Sequence, residues 1–143
     1  MSDHVGVIEL SRVCAAMRER SLELFTQLGR WVPSASPGEL QRLFAESCHR
    51  HAWHAELWEA RAPAIRENQP VSTPSSGAEP VDGDDDDTRR ERYRAELSAL
   101  EHDLRLLHAR IDPVLDPSTA RTIDLVGRDV VEISGRLDAL RTR

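Results

Sequence analysis

The strongest constraint on the fold of this 143-residue chain is a break near its middle. From Asn68 to Asp87 the sequence runs through prolines, serines, glycines and a block of four aspartates, with six acids and no arginine. Such a stretch has almost nothing to bury and cannot offset the entropy of ordering, so residues 68–87 are expected to be a long, disordered, self-repelling acidic linker. On either side of it, apolar residues recur at three- and four-residue spacing, the period of a helix with one buried face.

Local signals divide each flank into two helices. Ser36-Pro37-Gly38-Glu39 reads as an N-cap serine, a proline at the first helical position and a glutamate three residues after the cap. Thr88 to Glu91 repeats the cap and glutamate spacing, and Asp116-Pro117 is a further cap with proline. Ala62-Pro63 and Asp112-Pro113 are stop signals. The spacing predicts helices over residues 5–32, 37–62, 89–112 and 117–140. Their apolar faces would be Leu10, Cys14, Met17, Leu24, Phe25, Leu28 and Trp31 in the first and Leu40, Phe44 and Trp58 in the second. The third would offer Tyr93, Leu97, Leu100, Leu104, Leu107 and Ile111, and the fourth Ile123, Val126, Val130, Ile133, Leu137 and Leu140. An all-α four-helix bundle follows, one domain over 1–143, in which the linker joins helix pair 5–62 to helix pair 89–140.

Charge narrows the function. The net charge of −6 resides in the linker, because removing its six acids leaves 19 acidic against 19 basic side chains. A neutral folded part has no basic stripe for phosphates, which argues against nucleic acid. No apolar run is long enough to span a bilayer, and the start Met1-Ser2-Asp3-His4 lacks a signal peptide's basic and apolar regions, so no membrane partner and a cytoplasmic location are expected. Cys14 and Cys48 lack metal-type spacing and are expected to be reduced thiols. No glycine-rich phosphate loop or ordered nucleophile, histidine and acid is present.

The chemistry-bearing residues concentrate in Cys48 to Trp58, which holds three of the six histidines and two of the three tryptophans. His51 and His54, three positions apart, share the face of Leu40, Phe44 and Trp58, and a buried imidazole there requires a partner, a proton or a metal. Completed by Asp129 across the bundle, they would form a two-histidine, one-carboxylate set suited to iron or zinc. Alternatively they are neutral core groups hydrogen-bonded to Ser21, Ser47, Thr122, Tyr93 or water. With Trp58 and Tyr93 they could also line a small-ligand pocket. Trp53 falls on the polar side of its helix, where exposed tryptophan often marks a contact surface.

By its four helices, its central linker and the element His51-Ala52-Trp53-His54-Ala55-Glu56-Leu57-Trp58 followed by Pro63, the chain resembles small bacterial ferritin-like proteins. The resemblance implies a ferritin-like crossover and a centre for iron or manganese, to which each half gives a glutamate and a Glu-x-x-His motif. Glu46-Ser47-Cys48-His49 matches that motif, whereas Asp129-Val130-Val131-Glu132 in the fourth helix has no histidine. Helical phase also turns Glu46 and His49 roughly 140–160° from the apolar face. The expected protein is therefore non-catalytic and acts by association, as a homodimer or with another protein. The alternatives are a metal-binding protein or metal-dependent oxidoreductase, and a ligand-binding bundle.

Overall fold

The structure, a computed structural model, describes residues 4–63 and 85–141. It contains α1 (Val7–Trp31), a short 3-10 turn (Val32–Ser34), α2 (Glu39–Arg61), α3 (Asp86–Ala109) and α4 (Pro117–Arg141). There is no strand among the described residues, and the four helices pack as a bundle. Each helix forms because its apolar side chains return every three or four residues. In α1 the buried positions are Leu10, Cys14, Met17, Ser21, Leu24, Leu28 and Trp31, and in α3 Arg89, Tyr93, Leu97, Leu100, Leu104 and Leu107. Phe25 is the exception to the expected faces: one position past Leu24, it turns to the edge of the stripe and is exposed.

Ion pairs along the seams reveal the helix directions. Arg110, the C-cap of α3, grips Glu9 in the first turn of α1 with two bonds of 2.7 and 3.0 Å, and Arg20 bonds Asp103 at 2.7 Å, so α1 and α3 are antiparallel. Arg61 at the end of α2 meets Asp116 before α4 at 3.0 Å, while Glu46 near the start of α2 meets Arg136 at 2.7 Å, so α2 and α4 are antiparallel. Arg94–Asp138 at 2.9 Å sets α3 against α4 in the same sense. Consequently α2 and α3 run in the same direction, and α3 starts at the far end of the bundle from the end of α2. There the Ser36 backbone N–H donates to Asp86 Oδ2 at 3.2 Å.

Two helix starts differ from expectation. Gly38, not Ser36, precedes α2, and its φ of 143° lies where a side chain would be strained. α3 begins at Asp86 rather than residue 89, because Asp85, not Thr88, is its N-cap and accepts the Thr88 N–H at 2.7 Å. Asp86 and Asp87 thus lie in the first turn, where carboxylates meet the positive end of the helix dipole. The three residues at the end of the expected linker are therefore the start of a helix; 68–84 lie outside the described residues. α3 also stops at Ala109, short of residue 112, and Asp112 Oδ1 accepts the N–H groups of Val114 and Leu115 to close the turn into α4.

Candidate functional site

On α2, Ser47, His51, His54 and Trp58 follow one another at helical spacing and all face the core. Both imidazoles are fully buried. Their Nε2 atoms reach different helices: His51 Nε2 is hydrogen-bonded to the Tyr93 hydroxyl of α3 at 2.6 Å, and His54 Nε2 to Asp129 Oδ2 of α4 at 2.8 Å. A carboxylate can only accept, so His54 carries its proton on Nε2; at His51 the tautomer decides which group donates. The second oxygen of Asp129 accepts from Arg50 Nη1 at 3.2 Å, and Arg50 in turn holds Glu132 through bonds of 2.9 and 3.1 Å. A polar chain therefore runs from buried His54 through Asp129 and Arg50 to surface Glu132, while His51 and Tyr93 form a separate buried pair.

Aromatic contacts extend the chain inward. The His51 and His54 rings meet edge to face at 5.4 Å between centroids, as do His51 and Tyr93 at 5.8 Å and Tyr93 and Phe44 at 6.2 Å, while Phe44 and Trp31 are tilted at 47° and 5.5 Å apart. Edge-to-face packing sets the positive rim of one ring against the negative face of the next. Burial dominates the electrostatics. It holds His51 down to about 3, with His54 adding to the effect. Burial also lowers His54; Asp129 opposes this and Arg50 reinforces it. The same loss of water pushes the Tyr93 phenol up. Near neutral pH both imidazoles and the phenol are uncharged. Each imidazole nevertheless keeps a buried Nδ1 with no hydrogen-bond partner.

Of the residues singled out by sequence, the structure brings together His51 with Tyr93 and His54 with Asp129, but these are two contacts rather than one point of convergence. Among the described residues, no group of three or more His, Cys, Asp or Glu side chains could hold a metal ion. Asp129 divides its oxygens between His54 and Arg50. Glu46 and His49 are exposed on the outer side of α2, with Glu46 paired to Arg136. The described residues do not make a dinuclear carboxylate centre, since none of their glutamates is bonded to the histidine pair. His51, His54, Trp58 and Tyr93, the set proposed to line a pocket, have no exposed surface.

Cys14 is buried and Cys48 half-buried, both free thiols; burial pushes Cys14 up to about 11. Arg50 and Glu132 are the members of the chain that sequence reasoning missed. A signal existed: Arg50 lies one turn before His54, and Glu132 three residues after Asp129, so each shares a helix face with a residue already in view. No helix among the described residues is long and apolar enough to cross a membrane. No protein-family model, no curated protein and no solved structure matches this chain.

Proposed function

We propose that this chain is a non-catalytic helical protein of ferritin-like topology that acts by association, as a dimer or as an accessory subunit of another protein. The carrying observation is how its polar core is spent. The Nε2 atoms of the two buried histidines are hydrogen-bonded to neighbouring helices, so the most chemically capable cluster joins α2 to α3 and α4. The parallel run of α2 and α3, which needs a connection along the bundle, supports the ferritin-like topology.

What faces outward includes large apolar side chains. Trp53 on α2 is 42% exposed, and Val7, Ile8, Val114 and Leu115 are 57–84% exposed. The last four lie at one end of the bundle, because the Glu9–Arg110 pair ties the start of α1 to the end of α3. Apolar surface gains when covered, and tryptophan is prominent among residues that dominate protein interfaces.

The test is light scattering on untagged protein after size exclusion, with Trp53→Ala and Leu115→Ser variants, alongside metal analysis of cells supplied with iron, manganese and zinc. A dimer or larger complex weakened by either substitution is the expected result. A monomer carrying near-stoichiometric metal that vanishes in a His51→Ala/His54→Ala variant would replace this reading with the metal-binding one.

A further inference from the structure

We infer that the His51–His54 pair makes the packing of α2 against α3 and α4 proton-sensitive, so that mildly acidic solution opens the core along that seam. A protonated imidazole has two N–H groups, and each must find an acceptor if it is buried. In the closed bundle, Nε2 of each ring has a partner but Nδ1 has none. A charged His51 or His54 would therefore aim a buried donor at nothing, and charging both would set two cations side by side with ring centroids 5.4 Å apart.

The surroundings do not offset this cost. Among the described residues, Asp129 of α4 is the one carboxylate bonded to either ring, and it is shared with the Arg50 guanidinium of α2. Glu132, also of α4, is turned to Arg50. From α3 come the Tyr93 phenol and, near it, Glu96, whose carboxyl burial pushes up. From α2 comes Cys48, a thiol likewise raised by burial. The buried face of α1 carries one titratable group, Cys14, which stays a neutral thiol.

Once the seam opens, both rings meet water and take up protons near the ordinary imidazole value of about 6.5. Closed-state stability is therefore complete above that value and is lost as pH falls below it. Each ring that charges only in the open state shifts the closed-to-open ratio by up to about tenfold per pH unit, and the pair by up to about a hundredfold. The effect sets in above the carboxylate range of about 3.9–4.3, separating it from general acid denaturation.

The experiment follows near-ultraviolet circular dichroism and tryptophan fluorescence from pH 7.5 to 4.5, in buffer with a chelator, for the full chain and for His51→Gln/His54→Gln. Glutamine can hydrogen-bond to Tyr93 or Asp129 but does not titrate. The expected result is a reversible loss of tertiary signal coupled to uptake of about two protons. In the variant it moves down by at least one pH unit and becomes shallower. A native protein unchanged at pH 4.5, or a variant tracing the native curve, overturns the inference. If the variant does not fold, proton NMR of the six native histidines decides. Two imidazoles silent until the tertiary signal falls uphold the inference, whereas all six titrating in the ordinary range with the core intact refute it.

Discussion

Tyr93 is the residue whose presence in the core most needs its partner. Its ring packs on Phe44 as a phenylalanine would, so Tyr93→Phe removes only the hydroxyl and leaves His51 Nε2 buried without a bond. A loss of about 1–3 kcal/mol is expected in urea denaturation; no loss would mean that the hydroxyl is incidental. Asp129→Ala should cost a similar amount, about 1–3 kcal/mol, because it strands the His54 Nε2–H and releases Arg50. At this scale the sequence shows half of the arrangement. Helical phase alone turns both imidazoles inward, since 51 and 54 share the face of Phe44 and Trp58. It cannot say that Tyr93, 42 residues away, serves one ring and Asp129, 75 residues away, the other. Those pairings depend on how the helices register, which local periodicity does not encode.

The helices themselves are legible because a three-four apolar repeat has one physical solution in water, a helix with one covered face. Their ends are less so, since several residues compete to cap. Ser36 and Thr88 have the right chemistry, yet Gly38 supplies the backbone turn and Asp85 the acceptor. Asp116 is the cap that sequence and structure agree on: Oδ1 accepts the Thr119 N–H at 3.1 Å and the Arg61 guanidinium at 3.0 Å. Burial alone would raise its carboxyl, but the bonds from Thr119 and Arg61 hold it below the ordinary carboxylate range. Because its folded value is lowered, the stability it contributes is present above about pH 3.9 and lost as pH falls below that. Asp116→Ala is therefore expected to cost roughly 1–2 kcal/mol at pH 7 in urea titrations. The difference from the native protein should shrink toward pH 3; a constant difference across that range would show that the carboxylate charge is irrelevant to the cap.

Across the whole molecule, the seams explain why neither half is expected to stand alone. Surface ion pairs such as Arg20–Asp103 and Arg94–Asp138 contribute little energy individually, about 0–1 kcal/mol, and act mainly to select register. The cohesion comes from apolar stripes that each helix pair covers only with the other: Phe44 and Trp58 of the first pair share one core with Tyr93, Leu97, Val130 and Ile133 of the second. Separated, each pair would expose its stripe to water, and its core would fall short of the entropy of ordering two helices. Fragments 1–63 and 85–143, made separately and then mixed, should therefore show low helicity or self-association apart and recover native helicity as a 1:1 complex, read by circular dichroism and light scattering. Recovery would place the folding information in the helix faces rather than in the residues between them. A monomeric 1–63 fragment with full helicity of its own would instead make α1–α2 an autonomous hairpin, and the bonds of Tyr93, Asp129 and Glu132 to α2 would then join two preformed units.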